Sequence, residues 1–326
     1  MAHFLEAPDA EEDKNLSANS TGVKYIQSDT SECVTYFVRD DGYVDRTKGG
    51  GKIGKQFTPP AKTKYIVASA GIYASYLLRD DGVIDRLVSA EKKSEIRCED
   101  GFKYIAISSG DHASYFVRED GAVDRSTGKG KITSTISAPE SNVKYVDVSA
   151  GSYATYLLRD DGKIDRTTGS GTISATIECG ETGVTYIAIS PQAMGSASDK
   201  HNTQTQQSYF VRSDGKADKT TGSAKIQFTV ESEFSPYIAA SSGLHASYLL
   251  RADGAIDRIV SEDSVELSIN PRPGTQYTFV GAGIDCSYFL HSDGTADRTT
   301  SGGKIASTIS PVPVGFKPES SSCSIM

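Results

Sequence analysis

The stretch Tyr156-Leu157-Leu158-Arg159-Asp160-Asp161-Gly162-Lys163-Ile164-Asp165-Arg166 decides the fold. It reads as two short apolar strands joined by Asp-Gly, the strongest short-range signal for a hairpin. The same pattern returns around Tyr36, Tyr76, Tyr115, Tyr209, Tyr248 and Tyr288. Each copy has a tyrosine, two apolar residues, usually arginine, then Asp-Gly, then an aspartate followed by Arg or Lys. The last copy departs most, with His291 in the arginine slot. Successive tyrosines lie 39 to 41 residues apart, except for a step of 53 between Tyr156 and Tyr209.

Moving outward from the hairpin, each repeat supplies four strand signals. In the third copy these are Tyr104–Ser108, Ala113–Arg118, Ala122–Ser126 and Lys131–Ile136, with a Gly/Thr/Ser turn over Thr127–Gly130. No segment keeps the three-and-four apolar spacing of a helix. Seven tandem units of four antiparallel strands predict an all-β, seven-bladed β-propeller. The apolar pair, Phe116 and Val117 for example, occupies both faces of its strand. That suits a blade packed between two neighbours. A β-solenoid fits less well, because its coils are usually shorter than about forty residues. The expected organisation is an acidic segment over residues 1–22, the propeller over 23–310, and a flexible tail over 311–326. Repeats two and six are expected to share a longer, charged third turn, over Leu87–Lys93 and Ile259–Ser264.

Composition narrows the function. The net charge of -8 opposes binding to a phosphate backbone, so nucleic acid is not an expected partner. No apolar run reaches the roughly 18 residues of a membrane helix. The first residues are acidic where a secretory signal would be basic and then apolar, so a cytoplasmic location is expected. Five cysteines with no close pair predict neither disulfides nor a metal site. The Asp-Asp-Gly turns lack the alternating carboxylates of a calcium loop. No nucleophile elbow or phosphate-binding glycine loop is present, so no enzyme and no cofactor are expected.

The segments Ser69–Leu78 (SAGIYASYLL) and Ser241–Leu250 (SSGLHASYLL), each followed by Asp-Gly, resemble the repeat of the regulator-of-chromosome-condensation family. The family's histidine slot holds Ala74, Ala113, Ala154, Ala246 and Cys286 here. The resemblance implies a propeller. It also implies a protein-binding role, since members of that family are guanine-nucleotide exchange factors or interaction scaffolds.

Three groups of residues are candidates for function. The recurring Arg and Asp, such as Arg39 with Asp45, Arg118 with Asp124 and Arg159 with Asp165, lie within cross-strand reach and are expected to form structural ion pairs. A ligand pocket repeated in every blade is the rival reading of the same residues. The loops between first and second strands vary most, and Tyr73, His112, Tyr153 and His245 sit in them; these are the expected partner-binding face. The fifth repeat enlarges this loop over Gln192–Gln207. Finally Cys323-Ser324-Ile325-Met326 is a C-a-a-X box, so Cys323 is expected to meet a prenyltransferase and carry a farnesyl group. The reading is a monomeric, non-enzymatic scaffold, weakly and reversibly held at a membrane by lipid, with a protein partner. The alternatives are a regulator or exchange factor of a small GTPase, and a multivalent carbohydrate-binding propeller.

Overall fold

Each repeat closes on itself as a sheet. In the computed structural model, blade one consists of β1 (Tyr25–Ser31), β2 (Val34–Arg39), β3 (Val44–Thr47) and β4 (Ile53–Phe57), hydrogen-bonded in that order. Six more antiparallel four-stranded sheets follow, making a seven-bladed propeller with no helix among the described residues. Those residues are 22–31, 34–48, 50–127, 129–151, 154–168, 170–190, 208–220, 224–260, 264–284, 286–300 and 302–318. Repeat and blade coincide, so no blade mixes strands from the two ends of the chain.

The apolar pair works as its placement on both faces requires. Phe116 packs against blade two with Tyr76 and Leu78, while Val117 packs against blade four with Tyr145 and Leu157. Seven apolar clusters result, one at each junction between blades. The Asp-Gly glycines have positive φ: 90° at Gly42, 93° at Gly121 and 84° at Gly254. The linker to the next blade crosses directly over them. A Cβ on Gly121 would lie 2.5 Å from the Cβ of Lys144.

The linker also welds the ring. The amide of the first tyrosine in each blade donates to the carbonyl of the turn glycine before it. The series runs Tyr65 to Gly42, Tyr145 to Gly121, and finally Tyr25 to Gly294, which joins blade one to blade seven at 3.0 Å. Inside, the serine of one inner strand accepts from a backbone amide of the next: Ser69 from Ser109, Ser108 from Ala150, Ser241 from Ala282. In blade one Asp29 takes this role, accepting from Ala70 at 2.8 Å. Burial pushes its carboxyl up to about 6, against the pull of its backbone donors.

The third turn of blade two differs from expectation. The hairpin of β7 (Ile84–Val88) and β8 (Glu91–Ile96) turns on Ser89 and Ala90 alone, with φ of 50° and 63°. The charged residues Glu91–Lys93, read as loop, continue a regular exposed edge strand, where charge blunts pairing with other sheets. In blade six the strands end at Ile259 and resume at Leu267.

The chain after blade seven does not leave the ring at once. Arg39 donates to the carbonyl of Val312 at 2.5 Å, the amide of Val312 donates to Asp45, and the amide of Gly315 donates to Gln56. Phe316 closes a turn on Pro313, as Thr63 does on Pro60 and Val143 on Glu140 in the linkers between blades. Residues 310–316 thus occupy, on blade one, the place a linker occupies on every other blade.

Candidate functional site

The repeated Arg and Asp lie deep in each blade and belong to a four-strand polar network. In blade four, Asp165 accepts from Tyr145 Oη at 2.7 Å and from Thr176 Oγ1 at 2.6 Å, and Arg159 approaches at 3.8 Å. Arg159 is clamped more closely by its own turn, with Nε and Nη2 donating to Asp161 at 3.1 and 2.6 Å. Arg39 clamps Asp41 and Arg118 clamps Asp120 in the same way, and each also reaches its strand-three acid, Asp45 or Asp124. Burial, then the carboxylate beside it, holds the Tyr65, Tyr104 and Tyr145 hydroxyls well above their usual range. In blade seven the His291 ring replaces the arginine, 2.7 Å from Asp297. Burial raises the Asp297 carboxyl, yet His291, Thr308 and Tyr277 together hold it below its ordinary value. The donors and acceptors named here are met by the protein's own groups, with Val312 from the chain after blade seven adding to the network of blade one, the pattern of a structural network.

The sequence pointed to cross-strand Arg–Asp pairs and missed the two closest partners. One is the turn aspartate two residues after the arginine, which was read as turn chemistry alone. The other is the first-strand tyrosine, overshadowed by the second tyrosine on which the repeat aligns.

The varied loops gather on one face with the third turns. In blades three, four, six and seven the loop's glycine amide donates to a carbonyl three residues on, as Gly110 does to Ala113 and Gly243 to Ala246. Among the described residues, the third residue of these loops projects at the tip in blades two, three and six. Tyr73 is 70 % exposed there, and His112 and His245 are exposed at the matching positions. Tyr153 and the enlarged loop of repeat five lie outside the described residues, as does Cys323. Tyr73 forms a wall shared by two clefts. One, of about 240 Å³, lies between blades one and two; the other, of about 180 Å³, lies between blades two and three and is floored by Tyr76 and edged by His112. Among the described residues no cluster of His, Cys, Asp and Glu could hold a metal.

The opposite face carries a feature that sequence reasoning did not single out. A bulge after the first tyrosine of each inner strand turns the next residue outward. Ile26, Ile66, Ile105, Val146, Ile187 and Ile238 therefore stand 39–49 % exposed at one register position around the axis, on the face of the Asp-Gly turns. The signal was present as the recurring Tyr-Ile or Tyr-Val pair, but nothing in it marks a bulge.

No protein-family model and no curated protein matches the sequence. Among solved structures, the chain is similar to Prp20p from Saccharomyces cerevisiae, at 12 % identity over 82 % of both chains and a TM-score of 0.59. That structure is described with its binding to Gsp1p and histones. Human WBSCR16 matches at 13 % identity, over 76 % of this chain and 80 % of that one, with a TM-score of 0.58. A catalytically inactive virginiamycin B lyase from Staphylococcus aureus, with quinupristin, matches at 16 % identity, over 88 % and 97 %, with a TM-score of 0.66. At these identities the likeness is one of fold.

Proposed function

We propose that this propeller is a non-enzymatic interaction scaffold, whose loop face binds a protein partner and whose opposite face meets a membrane. The observation that carries the first half is the exposure of Tyr73, His112 and His245 at equivalent loop tips above a rigid ring. Rigid aromatic side chains on a regular scaffold are favoured interface anchors. Two features support the second half. The C-a-a-X box would make Cys323 a farnesyl acceptor in the cytoplasm. The chain also runs to Pro318 on the same face as the exposed Ile and Val residues, so lipid and apolar ring would meet a bilayer together. A single lipid chain gives only marginal anchoring, about 10⁴ M⁻¹, and the aliphatic ring would add to it.

Capture of partners from a eukaryotic lysate tests the reading, with wild type beside a variant carrying alanine at Tyr73, His112, Tyr153 and His245. Loss of a bound partner is expected. A quadruple variant that keeps every partner would move the binding face elsewhere. A small GTPase is the partner class suggested by the likeness to Prp20p, a protein described as binding Gsp1p. Accelerated release of labelled guanine nucleotide from a captured GTPase would assign exchange activity; unchanged release would leave binding alone.

A further inference from the structure

Among the described residues, the arginine after the strand-three aspartate is treated differently at one junction. In blade three, Arg125 donates to Thr133 at 3.1 Å; in blade four, Arg166 donates to Ser174 at 2.9 Å; in blade six, Arg258 pairs with Glu266. These partners share one position, the bulged residue at the start of the fourth strand. The next blade then covers the arginine with a turn glycine. Gly130 lies on Arg86, Gly171 on Arg125, Gly303 on Arg258 and Gly51 on Arg298, where an added Cβ would stand 2.7 to 3.0 Å from the arginine Cδ.

At the junction of blades one and two both devices are missing. The bulged residue opposite Arg46 is Gly54, which has no side chain to offer. The covering turn is the two-residue Ser89-Ala90 hairpin, which carries no glycine. Both of its residues sit at positive φ, a strained conformation for side chains other than glycine. Lys55 holds it there, donating to the Ala90 carbonyl at 2.5 Å. Blade seven shows that losing one device is not enough. Arg298 faces Ala306 and lacks the anchor, yet Gly51 still covers it.

The result is the cleft of about 240 Å³. Arg46 is the one charged residue among its described lining residues. Its guanidinium rests on the Tyr36 ring, 5.8 Å from the centroid. Ser31, Ser75 and Ser89 are among its lining residues and Tyr73, exposed, stands at the mouth. A cationic fork with no carboxylate among the described lining residues, serines nearby and an exposed ring at the entrance suits one ligand chemistry. That is an oxyanion attached to a polar ring. The volume is below the range of drug-sized pockets, roughly 300–1,000 Å³, and limits the ligand to about one sugar ring.

We propose that the cleft between blades one and two binds a small acidic sugar, its carboxylate or phosphate on Arg46 and its ring against Tyr73. Among the described residues this site is set apart by two departures from the repeat, and it does not rest on the scaffold reading. The full-length protein should be titrated with glucuronate, N-acetylneuraminate and glucose 6-phosphate, with glucose as the neutral control. Isothermal calorimetry or ligand-observed NMR reads the binding. At least one acid should bind and glucose should not; the carboxylate and phosphate arms tell which anion is preferred. Arg46→Gln should weaken that binding about tenfold or more, the loss expected for a charge-assisted hydrogen bond. Gly54→Thr restores the anchor seen at Thr133 and should also weaken it, the added Cβ displacing the Lys48 side chain. Arg125→Gln, at a covered site, should leave it unchanged. The proposal is overturned if no acid binds at about 10 mM, if glucose binds as well, or if both Arg46→Gln and Gly54→Thr bind as wild type does.

Discussion

Replacing Asp165 by alanine should destabilise the protein by about 2–4 kcal/mol, because it orphans the buried Tyr145 hydroxyl and removes the carboxylate's hydrogen bond to Thr176. Asp165 is fully buried and accepts from Tyr145 at 2.7 Å and Thr176 at 2.6 Å. The orphaned tyrosine hydroxyl costs about 1–3 kcal/mol, while the exposed Thr176 turns its hydroxyl to water. Arg159 adds little to the loss, since it keeps Asp161 at 2.6 Å and Glu140 at 3.0 Å. Tyr145→Phe removes one donor and leaves the carboxylate held by Thr176, so it should cost about 1.5–3 kcal/mol. The double variant carries no stranded tyrosine hydroxyl. It should therefore fall short of the summed single effects by about 1.5 kcal/mol. Urea denaturation gives these values, followed by circular dichroism and by tyrosine fluorescence, which is unobscured because the chain has no tryptophan. Coincident transitions from the two probes license the comparison. Additivity within about 0.5 kcal/mol would refute the claim that the tyrosine and aspartate act as one unit.

Asp29→Ser should raise stability near neutral pH and change it little near about pH 4. Burial lifts the folded carboxyl to about 6 from an ordinary 3.8. The native state is therefore favoured by the protonated form, fully below the unfolded value, and that support fades as pH rises through about 6. Melting temperatures across that window check the sign; a variant less stable than wild type at neutral pH would contradict it. Gly121→Ala should cost at least about 2 kcal/mol, combining a left-handed backbone with a collision at Lys144. A melting curve unchanged by that substitution would show the linker to be looser than described. Protein made in a eukaryotic host should have the mass of a farnesylated Cys323, and Cys323→Ser should lack it; an unshifted wild-type mass beside active transferase would remove the lipid from the functional reading.

Most of the architecture was legible because its causes are local. Asp120-Gly121 fixes a hairpin, and the adjoining apolar pair demands two neighbours. The predicted strands of repeat three lie within one residue of Tyr104–Ser109, Ser114–Arg118, Val123–Thr127 and Lys131–Ile136. Side-chain partners were less legible because they depend on register. Whether Arg46 meets an anchor turns on a one-residue bulge that places Gly54, and not Lys55, beneath it. The same dependence hid the outward turn of Ile26 and its equivalents. Glu91-Lys92-Lys93 misled through composition: a charged run reads as loop, yet an edge strand tolerates it.

The seam between blades one and seven has a consequence for how the chain folds. Within a blade every pairing joins neighbouring strands of one repeat, so each sheet can form from local contacts, the condition for rapid folding. The closing contacts are of another kind: Tyr25 meets Ser310 across 285 residues, and Arg39 meets Val312 across 273. Chain entropy makes such closure cheaper than the separation suggests, since each doubling of a loop adds only about 0.6 kcal/mol. The seam uses the same linker contacts as the six continuous junctions, without the chain running on from one blade into the other. Fusing the present termini and opening a different linker should therefore yield the same ring, while deleting residues 310–318 should leave seven intact blades that open at one edge.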